Sequence, residues 1–327
     1  MIITENFRRQ LFMEKFTGFT KGVNLGGWLS QCDYRTEHLD SFITEKDFEK
    51  IASWGLDHVR IPIDYNVIQD GDGGFKESGF GYIDWALSQC KKNGLNAVID
   101  LHKTIGYSFD KGEKESGFFD NIKYQERFYS FWAEFARRYG NDESIAFELL
   151  NEVTDKSYCK KWNEIAKECI KRIRILAKDT VIIVGGYWNN SAAAIKDLDP
   201  PYDDKVVYNF HCYDPMVFTH QKAPWVDQFD VSKDMTFAEC GYNTDTFIKS
   251  FKEAAEIAEK NNTVLYCSEY GVIDKASPED AVEWFKAING AFEHYGICRC
   301  AWNYREKDFG LADERMNGVI EELAKYL

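Results

Sequence analysis

Ionisable and hydrogen-bonding side chains stand at or near the ends of successive apolar runs in this chain. Two of them are glutamates, Glu152 in the segment LLNE and Glu269 in the segment SEYG. Two carboxyl groups can divide acid and base chemistry between them when their surroundings keep one protonated and the other ionised. The other residues of this kind are Arg60, His102, Asn151, His211, Tyr213 and Trp302. A single such residue is ordinarily structural, but their convergence on one rim would indicate a reactive site, because ionisable groups at the ends of apolar strands are costly unless paired.

The elements that must position these residues follow a regular alternation. Short β-branched or aromatic runs recur, and each is followed by a segment of helical period, which is the pattern of βα units around a parallel sheet. We predict eight strands, at residues 22–28, 58–64, 95–102, 146–152, 180–186, 206–213, 263–271 and 298–304. Eight units are the number that closes a (β/α)₈ barrel, and in that fold the chemistry lies at the carboxyl ends of the strands.

The segments between the strands support one continuous barrel over residues 1–327. A helix is predicted to begin after Thr44, where Asp47 stands three residues on, and another to end at Gly140. Residues 1–20 form a lead-in, residues 215–243 form a long loop after strand six, and a last helix over residues 314–327 closes the series. Loops of that length are usually functional or disordered.

Several segments together resemble glycoside hydrolase family 5, a clan of retaining barrel hydrolases that includes many endoglucanases. They are NLGGW, HVRIP, DLH, LLNE, NFHCYDP, SEYG and AWNY, in the family's order and over nearly the whole chain. The resemblance implies that Glu152 is the acid/base and Glu269 the nucleophile. It further implies a supporting role for Arg60, His102, Asn151, His211 and Tyr213, and a sugar platform at Trp302. Lys103 is a departure, since many relatives carry a polar ring residue at that position.

The chemistry of retention agrees with this assignment. Double displacement needs two carboxyl groups about 5–5.5 Å apart, one ionised and one protonated. Strands four and seven lie across the barrel from each other, so Glu152 and Glu269 can flank one sugar. We expect Arg60 and Tyr213 to hold Glu269 ionised and Glu152 to keep its proton. Asn151 is expected to bind the sugar 2-hydroxyl.

Other aromatic and polar residues are weaker candidates, each with a structural alternative. Trp28, Trp188 and Trp225 are candidates for stacking on sugar rings, and buried packing is the alternative. Tyr34 and Tyr107 are weaker candidates of the same kind. The structural alternative for His102 and His211 is a core histidine bonded to backbone carbonyls. For Tyr213 the alternative is a residue that only packs. Asp64 and Asp100 are expected to be structural hydrogen-bond partners.

Composition excludes some partners. The chain has 40 Lys and Arg against 54 Asp and Glu, a formal net charge of −14, which repels nucleic acid and anionic membranes. Nine scattered cysteines predict reduced thiols rather than disulfides. Residues 1–16 are interrupted by charges before any signal-type apolar stretch, so the chain as written is expected in the cytoplasm, or outside the cell if a leader was removed. We expect a monomer with neither cofactor nor metal.

The leading functional hypothesis is an endo-β-1,4-glucanase acting on cellulose-type or mixed-linkage β-glucan, as oligosaccharide or polysaccharide. An exo-β-1,3-glucanase or a β-mannanase is the nearest alternative, because barrel loops set specificity. A metal-dependent barrel hydrolase is a second class, although the first strand lacks the H-x-H pair usual there. A non-catalytic glycan-binding protein is a third, and the presence of both glutamates argues for turnover.

Overall fold

Eight parallel strands form the centre of the molecule, of which a computed structural model describes residues 14–110, 112–227 and 230–327. The strands are β1 Lys21–Asn24, β2 His58–Asp64, β3 Asn96–Lys103, β4 Ile145–Glu148, β5 Val181–Gly185, β6 Val206–Cys212, β7 Leu265–Tyr270 and β8 Cys298–Ala301. They pair in chain order, and β1 also pairs with β8, so the sheet closes on itself. The predicted (β/α)₈ barrel is confirmed.

Helices cover the outside of this barrel. They are α1 Thr36–Ser41, α2 Glu45–Ser53, α3 Tyr65–Ile68, α4 Glu77–Asn93, α5 Ile122–Tyr139, α6 Cys159–Leu176, α7 Met216–Thr219, α8 Thr244–Lys260, α9 Pro278–Tyr295 and α10 Ile320–Leu323. Two predicted boundaries are confirmed. The Asp47 carboxylate accepts hydrogen bonds from the backbone N–H and the hydroxyl of Thr44 at the start of α2, and Gly140 caps the end of α5.

The lower interior of the barrel is filled by aromatic and aliphatic side chains. Phe16 and Phe19 stack with ring centroids 4.6 Å apart, and Phe16 meets the edge of Tyr266 at 5.3 Å. This cluster closes the end of the barrel at which the strands begin. The opposite end, where the strands finish, is the end at which this fold carries its chemistry.

Some strands end earlier than the sequence predicts. The prediction for strand four ran over residues 146–152, whereas β4 ends at Glu148. Beyond it the backbone leaves the regular ladder: Leu149 still donates to Ile183, Asn151 donates to Leu101 on the other side, and Glu152 turns to a φ of +40°. Residues 149–152, the exit of β4, are therefore an irregular segment rather than a continuation of the strand.

Three further expectations concern the ends and the long loop. The last helix is broken into Glu314–Met316, α10 and Ala324–Tyr326, so the prediction of one helix was wrong; Gly318, a poor helix former, lies in the break. Residues 1–13 of the predicted lead-in lie outside the described residues. The localisation inferred from that segment stays a prediction. The assignment of one domain to residues 1–327 also stays a prediction. The loop over 215–243, described except at 228–229, holds α7 and a turn of 3₁₀ helix at Ala238–Cys240. Over the described ranges, no helix is long and apolar enough to span a bilayer.

Candidate active site

A single buried guanidinium organises the mouth of the barrel. Arg60, on β2, is fully buried and binds Glu148 through Nε and Nη2, at 2.8 and 2.9 Å. Its Nη1 lies 2.8 Å from Glu269 Oε1, and its Nη2 lies 3.0 Å from Asp100 Oδ2. Burial alone would lower the pKa of Arg60, but attraction by Asp100, Glu148 and Glu269 outweighs burial and raises that pKa well above its usual value. The cation is therefore permanent and is shared by three acids.

Two asparagines complete the coordination of this guanidinium. Asn24 Oδ1 accepts from Nη1 at 2.8 Å, and Asn151 Oδ1 accepts from Nη2 at 2.9 Å. The buried Nδ2 of Asn151 has no hydrogen-bond partner among the described residues. Arg60 thereby orients the Asn151 amide and leaves its N–H groups available at the mouth.

Glu269, on β7, is held by two donors. Its Oε1 accepts from Arg60, and its Oε2 accepts from the Tyr213 hydroxyl at 2.9 Å. The Tyr213 pKa lies well above its usual value, chiefly through burial and then through repulsion by Glu269 and Glu152, so its hydroxyl keeps the proton that it donates. Glu269 is therefore bonded by one charged and one neutral donor.

Glu152 sits in a different environment. Its Oε1 lies 2.9 Å from Nδ1 of His211, and its Oε2 accepts from Nδ2 of Asn189 at 2.8 Å. Burial raises the pKa of Glu152, with Asn189, His102 and Arg60 acting in the opposite direction. Glu152 has no direct cation partner, and burial favours its protonated form.

The two glutamates lie close together. One carboxylate oxygen of Glu152, one of Glu269 and a ring nitrogen of His211 all lie within 4.8 Å of one another. This spacing belongs with the short separation of about 5–5.5 Å that retaining enzymes use, and not with the roughly 6.5–9.5 Å of inverting enzymes. A sugar carbon and its glycosidic oxygen fit between two carboxyl groups at such a distance.

Among the described residues, these three also form a grouping that could hold a metal ion. The ligand atoms already have protein partners, since His211 Nδ1 bonds Glu152 and Glu269 bonds both Arg60 and Tyr213. An ion there would have to displace those bonds. The expectation that the protein needs neither metal nor cofactor stays a prediction.

Burial disfavours the charged form of both site histidines. Burial lowers the pKa of His211 to about 4 and also lowers that of His102. Nδ1 of His211 faces Glu152 at 2.9 Å, and Nε2 lies 2.9 Å from the Ser268 hydroxyl and 3.3 Å from Nδ2 of Asn190. His102 binds Asp100 through Nδ1 at 2.7 Å, which makes the alternative of a histidine bonded to backbone carbonyls wrong for this residue.

The aromatic candidates occupy three different settings. Trp302 is nearly buried and lies parallel to His102, with ring centroids 5.7 Å apart. Trp188 and Trp225 are 53% and 51% exposed. Trp225 approaches the edge of His220, which in turn meets Tyr213, so this exposed ring belongs to the Glu269 side of the mouth.

Trp28 is a correction. It is 1% exposed, and its indole N–H donates to the backbone carbonyl of Leu39 at 2.8 Å. Its ring packs against Tyr82 and Trp85 of α4 rather than against the mouth. Trp28 is therefore a packing residue, because the chain after β1 turns its side chain outward beneath the helices.

The weaker candidates have structural partners. The hydroxyl of Tyr107 donates to the backbone carbonyl of Glu152 at 2.7 Å and so supports the exit of β4. Lys103 lies 2.8 Å from Glu113, and its Nζ donates to the Tyr34 hydroxyl at 2.9 Å. Asp64 accepts from Tyr34 at 2.6 Å. This cluster fixes the loop after β3 and occupies the ammonium group of Lys103.

A family model and curated relatives match this chain over most of its length. The model for cellulase (glycosyl hydrolase family 5) matches residues 19–308. The chain belongs to glycosyl hydrolase family 5. It is 54% identical to Cellodextrinase A of Ruminococcus flavefaciens, over 88% of this chain and 86% of that protein. It is 39% identical to Endoglucanase C of Acetivibrio thermocellus, over 94% of this chain and 98% of that protein.

A solved structure supports the same placement. The endoglucanase Cel5A of the hyperthermophile Thermotoga maritima superposes with a TM-score of 0.82 at 25% identity, covering 96% of this chain and 99% of that one. The resemblance stated from the motifs is thereby confirmed. As a member of family 5, the protein is a glycoside hydrolase.

The family 5 site contains residues that the sequence did not single out. Asn24, Glu148 and Asn189 each bond directly to Arg60 or to Glu152. Glu148 could have been found, because a lone acid within the apolar run AFELL requires a buried partner. Asn189 carried no such signal, since an Asn after a strand is ordinarily read as part of a turn.

Replacement of Arg60 by methionine should lower the stability of the fold. Glu148, Asp100 and Glu269 would remain buried without their partner, so the free energy of unfolding should fall by about 3–5 kcal/mol. Carboxyl groups whose folded pKa is raised stabilise the fold less as the pH rises. The deficit relative to wild type, measured by urea unfolding, should therefore be larger at pH 7.5 than at pH 5.

A matched control is Arg137→Met, which removes an exposed arginine paired with Glu134 on α5. It should leave the unfolding curve close to that of the wild type. A deficit for Arg60→Met that is equal at both pH values, or that shrinks at pH 7.5, would contradict the view that unpaired buried carboxylates are its origin.

Proposed function

We propose that this protein is a retaining endo-β-1,4-glucanase acting on cellulose-type or mixed-linkage β-glucan, with Glu269 as nucleophile and Glu152 as acid/base. The observation that carries the proposal is the approach of the two glutamates within 4.8 Å in unlike surroundings. Glu269 has a guanidinium and a hydroxyl as donors, whereas Glu152 has only a neutral imidazole and an amide.

In the first step, the ionised Glu269 attacks the anomeric carbon and forms a glycosyl ester. The bond to the leaving sugar breaks, and its oxygen takes the proton of Glu152. The negative charge thus passes from Glu269 to Glu152. Glu269 carries no full negative charge while it is an ester. Arg60 still neutralises Glu148 and Asp100, so the buried cation keeps partners throughout.

In the second step, a water molecule attacks the same carbon while Glu152 takes its proton. The ester bond breaks, Glu269 regains its charge, and Glu152 returns to the protonated form. Two inversions give a product with the original β configuration. His211 stays neutral in this scheme and orients Glu152 through its Nδ1.

Other residues of the mouth fit the recognition of a sugar at the reacting position. The unpaired Nδ2 of Asn151 is a suitable donor to the 2-hydroxyl, a contact expected to strengthen in the oxocarbenium-like transition state. Trp302, parallel to His102, offers an apolar face for the same sugar. Trp188 and Trp225 supply exposed faces farther along the cleft, which suits a chain of several pyranose rings.

Hydrolysis of short soluble cellodextrins is a second candidate. The observation that favours it is the 54% identity to a relative named Cellodextrinase A. Both activities share the linkage and the mechanism and differ in chain length. The expectation of no nucleic-acid or membrane partner rests on the net charge of −14 and remains a proposal, as does the expectation of a monomer.

The direct test is a hydrolysis panel on carboxymethylcellulose, lichenan, laminarin, mannan and cellopentaose. We expect cleavage of the β-1,4-linked glucans, early loss of polymer viscosity, and β-configured product as the first anomer in proton NMR. Retained activity in a strong chelator would exclude the metal-dependent alternative. Initial formation of the α anomer would overturn the mechanism, and cleavage of cellopentaose without loss of viscosity would favour the cellodextrin candidate.

Glu269→Gln should abolish turnover while leaving cello-oligosaccharide binding nearly unchanged, because the amide has the same volume but cannot form the glycosyl ester. Turnover would be followed by release of reducing ends and binding by calorimetry with cellotetraose. Glu256→Gln, an exposed substitution on α8, is the matched control and should behave as wild type. Full activity of Glu269→Gln would refute the assignment.

Glu152→Ala should impair substrates with poor leaving groups far more than activated aryl cellobiosides, because activated groups depart without a proton. Added azide should partly restore turnover of the activated substrates by attacking the glycosyl enzyme, and should yield a β-configured glycosyl azide. The leaving-group dependence and the azide product are read by kinetics and NMR. Absence of both effects would remove Glu152 from the acid/base role.

A further inference from the structure

We propose that Asn189 is a positioning residue for Glu152, which fixes one carboxyl oxygen and stabilises the ionised form that acts as base in the second step. The proposal rests on the proposed function, since it takes Glu152 as the acid/base. It starts from a contact outside the residues that the motifs single out. Asn189 Nδ2 donates to Glu152 Oε2 at 2.8 Å.

The two oxygens of Glu152 are bound by residues from two different segments of the chain. Asn189, just after β5, binds Oε2, and His211, on β6, binds Oε1. A carboxyl bound at only one oxygen can rotate about its last side-chain bond. A carboxyl group that is bound at both oxygens is held in one plane, which fixes the direction in which its proton leaves.

The backbone on both sides of this contact is unusual. Glu152 has a φ of +40°, and Trp188, Asn189 and Asn190 form a left-handed turn with φ values of +50°, +55° and +55°. Asn tolerates this region better than most residues. The turn is fastened to the exit of β4, because the Asn189 N–H donates to the Val153 carbonyl at 3.0 Å. Such outliers persist only where the surrounding contacts hold them.

The turn also carries two neighbours with roles at the mouth. Asn190 is fully buried and reaches Nε2 of His211, the partner of Glu152. Trp188 instead exposes half of its surface. One rigid turn therefore places a sugar-stacking ring next to the two amides that fix the acid/base and its histidine.

Charge explains why an amide is used. The charged or titratable groups that face Glu152 are Arg60, Asp100, His102, Tyr107, His211, Tyr213 and Glu269. Most of these also interact with one another, so replacing any of them would alter several charges together. Asn189 does not titrate, and its hydrogen bond lowers the pKa of Glu152 against the rise caused by burial. Its removal should change one interaction of the acid/base and little else.

The test is Asn189→Gly, which deletes the amide and keeps a residue suited to a φ of +55°. The pKa of Glu152 should rise, so the alkaline limb of kcat/KM against pH should move upward by about one pH unit, as expected for loss of one hydrogen bond to a charged group. At the wild-type optimum, kcat/KM should fall more for aryl cellobiosides with poor leaving groups than for activated ones.

Two further variants keep the test decisive. Asn262→Gly removes another left-handed asparagine, with a φ of +53°, from an exposed position before β7 at the far end of the barrel, and it should leave the pH profile unchanged. Asn189→Ala also deletes the amide donor without adding a charge, so it should also move the alkaline limb upward. This variant serves if Asn189→Gly fails to fold.

An alkaline limb at the wild-type position in a folded Asn189 variant, with equal losses for all leaving groups, would overturn the positioning role. The proposed function would survive that result if Glu152→Ala still shows azide rescue. If Glu152→Ala shows neither rescue nor leaving-group dependence, the assignment of the acid/base itself fails, whatever the Asn189 variants do.

Discussion

The structure depends on one buried cation shared among three carboxyl groups. Removing an arginine or a carboxylate from water is expensive, and the cost is offset only when geometry and hydrogen bonding are nearly complete. Arg60 meets this condition through contacts that reach β3, β4 and β7 and the asparagines at the ends of β1 and β4. Because the guanidinium is planar and forked, these partners can occupy few other arrangements. The barrel mouth is thus assembled around a fixed charge rather than merely lined by polar side chains.

This arrangement separates the two reactive glutamates electrostatically. Glu269 is a direct partner of Arg60, whereas Glu152 is bonded only to neutral donors. Two identical side chains in one cavity are therefore bonded by different kinds of group because of where β7 and the exit of β4 place them. The difference does not require His211 to be charged, since burial keeps that ring neutral.

Much of this could be predicted from the sequence, and the exceptions have a common origin. The eight strands, the barrel and the meeting of Glu152, Glu269, Arg60, Asn151, His211 and Tyr213 follow from apolar runs that end in polar residues. Alternation predicts a side chain's direction only while the chain remains a regular strand. Trp28 and Asn189 both lie beyond the strand ends, where local dihedral angles decide the direction, and neither placement could be read from periodicity.

The reacting groups come from separate strands, while the exposed tryptophans belong to the segments that follow β5 and β6. A change of length or composition in one connecting segment can therefore alter the fit of a distant sugar without moving the central carboxyl pair. Natural selection can then change the range of accepted glycans in small independent steps, while the catalytic residues stay the same. This separation gives a physical reason for one barrel to vary in the polysaccharides it accepts while it keeps its chemistry.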